Sequence, residues 1–161
     1  MLRRGLTPGT LLALCCALLA GCGGGGGRER LSTAAYRSRL AQISREADRS
    51  QAQVEKALQA TTMAELRTRL RTFATAEQRL GDEVAALEPP KDAVAANARL
   101  ARGEHELAAA LRQALPRLAR FKTTQAAVQF LNAGFAGAQK GARDLDGSLA
   151  ELKRLGYTKG S

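Results

Sequence analysis

The chain has 161 residues, room for one domain of ordinary size. Hydrophobic residues make up 45% of it but aromatic residues only 4%, with no Trp, which excludes a core built on large rings and favours helices packed through Leu, Ala and Val. A formal charge of +10 and a sequence pI near 10.4 suit nucleic acid, anionic lipid or acidic polymer as partner, and location has to separate them.

In chain order the first element is a targeting segment. Arg3 and Arg4 precede an apolar run from Leu11 to Ala20, and the small Ala20 and Gly21 close it, the layout of a secretory signal peptide. A bilayer-spanning helix needs roughly 20 apolar residues, so the run is too short to be one. Leu19-Ala20-Gly21-Cys22 resembles the lipobox of bacterial lipoproteins, in which cleavage precedes the cysteine and its thiol is then acylated. The resemblance covers 22 residues. It implies a signal peptide over 1–21, lipidation at Cys22 and attachment to the extracytoplasmic face of the cell membrane. An ordinary cleaved signal, a retained anchor and a twin-arginine signal on Arg3-Arg4 are the alternatives.

Cys15 and Cys16 would leave with the signal and Cys22 would carry lipid, so the mature chain has no thiol for a disulfide, a metal or catalysis. Loss of Arg3 and Arg4 lowers the charge from +10 to +8. An exported basic protein is expected to meet lipid and envelope polymer and no nucleic acid. Residues 22–31 then form the lipidated cysteine and a linker, in which Gly23 to Gly27 are a flexible leash. From Gly23 to Arg30 its reach is roughly 15 Å, at about 5 to 6 Å times the square root of residue number.

Residues 32–156 carry apolar residues at alternating steps of three and four, the spacing of an all-α domain. The first stripe is Tyr36, Leu40, Ile43, Ala47, Ser50 or Gln51, Val54 and Leu58, capped by Ser32 or Thr33. A break at 60–62 leads into Thr62-Met63-Ala64-Glu65, a capping box, and then into Leu66, Leu70, Phe73, Glu77, Leu80, Val84 and Leu87. Glu88-Pro89-Pro90 stops that helix, and Pro90 suits the first turn of the next, with Asp92 near its positive end. The third stripe runs from Val94 through Asn97, Leu100, Glu104, Leu107 and Leu111 to Leu118, with Pro116 expected to kink or end it.

The fourth stripe is the most regular: Val128, Leu131, Phe135, Ala138, Ala142, Leu145, Leu149 and Leu152, opening near Thr123 or Thr124 and ending before Gly156. Small residues at Gly134, Gly137, Ala138, Gly141 and Ala142 let a neighbouring backbone come close. Four helices of roughly 25 residues, each about 38 Å long, joined by short turns predict an antiparallel up-down-up-down four-helix bundle, with residues 157–161 as a tail. A monomer is expected, with helical hairpins paired across two copies as the alternative.

Two places break the stripes. Glu77 and Glu104 lie at the centres of apolar faces, and folding about Pro89-Pro90 brings them to one level, with His105 at the rim. Di-iron bundles need carboxylates and Glu-x-x-His pairs from all four helices, and the fourth stripe supplies only Ala and Gly, so neither metal nor other cofactor is expected. The pair is expected as an ion-paired polar layer with Arg45, Arg102 or Lys140, or as the lining of a small polar pocket. The other break is electrostatic: Arg67, Arg69, Arg71, Arg112, Arg117, Arg120 and Lys122 gather at the end away from the leash. Their forked guanidinium groups suit a phosphate- or carboxylate-bearing envelope polymer or an acidic protein.

No nucleophile triad, phosphate-binding loop or zinc motif occurs, and a single His leaves few catalytic groups, so an enzyme is not expected. The expected protein is a lipid-anchored, non-catalytic interaction or structural module of the cell envelope. A ligand-binding lipoprotein using Glu77 and Glu104 is the alternative, and a metal-dependent enzyme comes last. In its lipobox, glycine leash, Tyr36 and the turn Leu87-Glu88-Pro89-Pro90, the chain resembles uncharacterised helical lipoproteins of high-GC bacteria, a resemblance that implies an envelope location and no activity.

Overall fold

A computed structural model describes residues 29–134 and 136–158. The lipobox with Cys22, the glycine leash from Gly23 to Gly27, Phe135 of the fourth stripe and the end of the tail lie outside the described residues. Five helices pack against one another: α1 (Thr33–Leu58), α2 (Met63–Ala85), α3 (Val94–Leu118), α4 (Thr124–Asn132) and α5 (Ala136–Arg154), with a 3-10 turn at Lys91–Ala93 leading into α3. Among the described residues there is no strand, and no helix is long and apolar enough to cross a membrane.

Local chemistry sets the helix ends. The Ser32 hydroxyl accepts from the Ala35 N–H, and the Thr62 hydroxyl accepts from the Glu65 N–H at 3.2 Å. The expected capping box is displaced by one residue, because the Glu65 carboxylate accepts from the N–H of Thr61 rather than of Thr62. Pro90 precedes the 3-10 turn, so regular α-helix begins at Val94, one turn later than the sequence suggests. Pro116 does not end α3 at once. The helix runs on to Leu118, and its last bonds tighten to three-residue spacing, from the Ala119 N–H to the Pro116 carbonyl and from the Arg120 N–H to the Arg117 carbonyl.

At the end of α5, Gly156 takes φ 78°, its N–H donates to the Lys153 carbonyl and the Tyr157 N–H to that of Leu152, the paired bonds of a Schellman cap. Gly134 ends α4 with φ 71° and its N–H on the Leu131 carbonyl, the counterpart of the Gly156 bond to Lys153. This corrects the expectation of a single fourth helix: the apolar period continues across 134, but the left-handed glycine ends one helix and α5 starts a new one.

Successive long helices run in opposite directions, as their cross-links show. Arg79 of α2 reaches Glu46 of α1 while Arg69 reaches the Lys56 carbonyl. Asn97 of α3 donates to the Val84 carbonyl of α2 while Arg112 donates to Gln78. Between α3 and α5, Arg99 meets Asp144 and Lys140 meets Glu106.

The core is two apolar clusters, one at each end. The first joins Tyr36, Leu40, Ile43, Leu80, Val84, Leu100 and Leu152. The second joins Leu66, Leu70, Phe73, Leu111 and Leu118, with α4 contributing the fully buried Ala127 and the packed Val128 and Leu131. Each fully buried Leu, such as Leu66, Leu80, Leu118 and Leu152, contributes about 1.5 to 3 kcal/mol relative to exposure.

Two members of the expected stripes are outside this core: Val94 is 41% exposed and Leu149 is 46% exposed, with Ala142 also exposed. The reason is the face α5 uses. It meets α3 through its glycines, so closely that a Cβ on Gly141 would lie 2.9 Å from the Gly103 carbonyl oxygen and 3.0 Å from the Leu107 nitrogen. That contact turns the Ala142 and Leu149 side of α5 outward.

Candidate functional site

Between the two clusters lies a polar layer. Glu77 of α2 is 6% exposed and Glu104 of α3 is 7% exposed, at one level as the heptad register requires. Ser50 of α1, also buried, donates from its hydroxyl to Glu77 Oε1 at 2.7 Å. The expected ion pair is not formed. Arg102 and Lys140 are engaged with Asp144 and Glu106 at the α3–α5 seam, and the partners of Glu77 are Ser50 and Glu104. Long cationic side chains stay at the rim because carrying a charge inward costs desolvation that a two-carboxylate layer does not repay.

Burial, then the hydrogen bond and the charge of Glu77, push the Glu104 carboxyl up to about 9. Glu104 is therefore the protonated member at neutral pH and donates to Glu77, as two contiguous carboxyls require. Its Oε2 is buried with no hydrogen-bond partner.

His105 sits where the sequence puts it, at the rim. Its Nε2 lies 2.9 Å from Asp82 Oδ1, and its ring covers Gly81, where a Cβ would come within 2.3 Å of Cδ2. The nearest open groove, about 610 Å³, runs from Arg30, Leu87 and Pro89 past Val94 and Ala101 to Arg102 and His105, and neither Glu77 nor Glu104 lines it. Among the described residues no group of three or more His, Cys, Asp or Glu is placed to hold a metal ion.

The basic residues collect at the end that holds the second cluster. Arg67, Arg69 and Arg71 are in the first turns of α2, Arg112 and Arg117 in the second half of α3, and Arg120 and Lys122 in the turn before α4. They divide into two sets. Arg67 donates to the Met63 carbonyl, Arg69 pairs with Glu65 and the Lys56 carbonyl, and Arg112 donates to Gln78. The side chains of Arg71, Arg117, Arg120 and Lys122 are exposed and make no hydrogen bond or ion pair among the described residues. Arg69 and Arg112 tie helices together and Arg67 bonds within α2, while the second set presents charge to solvent.

At the opposite end sequence reasoning missed a tyrosine clasp. The buried Tyr36 hydroxyl donates to Asn97 Oδ1 at 3.0 Å, while Asn97 Nδ2 donates to the Val84 carbonyl. Tyr157 packs edge-on against the Tyr36 ring at 5.1 Å and donates to Asp92 Oδ1 at 2.8 Å. Burial, then the neighbouring Tyr157 and Asp92, holds the Tyr36 phenol well above its ordinary range. Asn97 on an apolar face was the visible signal of a buried polar partner.

No protein-family model matches the sequence, and comparison with characterised proteins and with solved structures finds no significant similarity.

Proposed function

We infer that the protein is a lipid-anchored, non-catalytic module of the cell envelope, held by Cys22 and binding an anionic envelope polymer or an acidic protein through its basic end. In this reading the helices form an up-down-up-down bundle, with α4 and α5 sharing the place of the fourth helix. The observation that carries the reading is the set of exposed, unpaired cations Arg71, Arg117, Arg120 and Lys122 at the end opposite the leash. Held there, they face away from the bilayer and toward whatever surrounds it. The ligand-binding alternative has less support, because Glu77 and Glu104 turn to each other.

Binding to polyphosphate and to polyglutamate, followed at rising salt, tests the basic end. Arg117→Glu with Arg120→Glu and Lys122→Glu should weaken binding at least tenfold, while reversing Arg39, Arg45 and Arg49 on α1 should have a smaller effect. Equal losses from both sets would mean that net charge alone acts. Fatty-acid labelling of the wild type, absent from Cys22→Ala, tests the anchor separately.

A further inference from the structure

We propose that Ser50, Glu77 and Glu104 form a proton-operated latch, which keeps α1, α2 and α3 closed at mid-height while the two carboxyls share one proton and loosens them when that proton leaves. The latch is independent of the lipid anchor and of the basic end.

The geometry assigns the roles. Two carboxyls in contact inside an apolar domain cannot both be ionised without strong repulsion, so one proton has to stay between them. Ser50 donates from its hydroxyl to Glu77 Oε1, so Glu77 is the acceptor in that bond. Glu104 has a buried Oε2 with no donor near it, so a charge on Glu104 would be left unsupported. Glu104 therefore holds the proton and Glu77 accepts from both neighbours. Each of the three residues comes from a different helix, so the chain of bonds Ser50 to Glu77 to Glu104 runs across α1, α2 and α3 where neither apolar cluster reaches.

Among the described residues no other charged group offsets the loss of that proton. From α2 the facing charge is Glu77 itself. On α1, Glu46 is tied to Arg79. On α5, Lys140 and Asp144 are tied to Glu106, Arg99 and Arg102 at the outer seam. On α3, His105 faces outward to Asp82. Deprotonation turns one bond into two adjacent carboxylates, with only the Ser50 hydroxyl to solvate them.

The sign follows from proton counting. The unfolded carboxyl titrates near 4.5 and the folded one near 9, so between these values the folded state holds one proton more. Stability falls as pH rises through that window and levels off above it, where the folded state has itself lost the proton.

Thermal melts and amide hydrogen exchange on the intact protein between pH 5 and 10 test the latch. In the wild type the folding equilibrium constant should drop by up to tenfold per pH unit across the window. Amide protection factors, which divide out the base-catalysed rate of free amides, should fall near residues 73–81 and 100–108 as pH rises toward about 9. Glu104→Gln keeps a donor to Glu77 but has no proton to lose, so it should flatten the profile and exceed the wild type at pH 9. Equal slopes in the two proteins, or a flat wild-type profile, would overturn the proposal. Should Glu104→Gln fail to fold, carbon-13 titration of the wild-type glutamate carboxyls decides: one carboxyl titrating near 9 supports the latch, and all of them titrating below about 6 refute it.

Discussion

Position 141 shows how a single residue can carry two opposed effects. Alanine is a better helix former than glycine by up to about 1 kcal/mol, so propensity alone makes Gly141→Ala stabilising. The new methyl would instead meet α3 backbone atoms at 2.9 and 3.0 Å, and backbone cannot swing aside as a side chain can. Overpacking of this kind costs about 1 to 3 kcal/mol, so urea denaturation should show a net loss, and a stabilised variant would mean that α3 retreats easily. Tyr36→Phe removes the donor to Asn97 Oδ1 in a fully buried site and should cost about 1 to 3 kcal/mol in the same assay, with the fold retained. At this scale the sequence was legible for position and poor for partners. Heptad register puts Glu77 and Glu104 at one level, because rise per residue is a fixed quantity. It does not tell whether an arginine reaches them, which depends on side chains that found acids at the α3–α5 seam instead.

Among elements, the contrast between Gly156 and Gly134 is instructive. Both take positive φ and both end a helix, yet only Gly156 is readable as a cap, because the apolar pattern stops beside it. At Gly134 the pattern runs on, and four further small residues, Gly137, Ala138, Gly141 and Ala142, hide the stop. The same pattern overstates the core of α5. Leu149 belongs to the most regular stripe of the sequence but is 46% exposed, whereas Leu152, one turn on, is fully buried. Leu149→Lys should therefore change stability by less than about 0.5 kcal/mol, and Leu152→Ala should cost about 2 to 5 kcal/mol, both read from thermal melts. A severe loss from Leu149→Lys would show that this face is covered in solution. Periodicity reports which residues share a face of a helix; which face meets a neighbour is settled by how closely the backbones approach, here by Gly103 and Gly141.

For the molecule as a whole, the polar layer divides the interior into two apolar clusters with different memberships. The cluster beside the tyrosine clasp draws on α1, α2, α3 and α5, while the one beneath the basic residues replaces α5 with α4. The basic end is therefore built partly on a nine-residue helix closed by Gly134, the shortest α-helix among the described residues. Thr123→Ala removes the hydroxyl that accepts the Ala126 N–H and should cost about 0.5 to 2 kcal/mol, seen first as faster amide exchange across Thr124–Asn132. Helical class, most helix limits and the gathering of basic residues are readable in the sequence, since each depends on local spacing. The break inside the fourth stripe is not, since the apolar spacing runs on across the left-handed Gly134, and the tyrosine clasp is not, since it depends on a contact between distant segments.

The clasp also fixes where the domain begins and finishes. Leu31 donates its N–H to the Glu88 carbonyl, and Tyr157 packs edge-on against Tyr36, so the entry to α1 and the exit from α5 occupy one corner. The order in which the helices are strung is then separable from the way they pack. A circular permutant that joins Thr158 to Leu31 through a short glycine linker and opens the chain at Thr61 should fold to the same helical content, since the cut falls in an exposed turn and no core contact is lost.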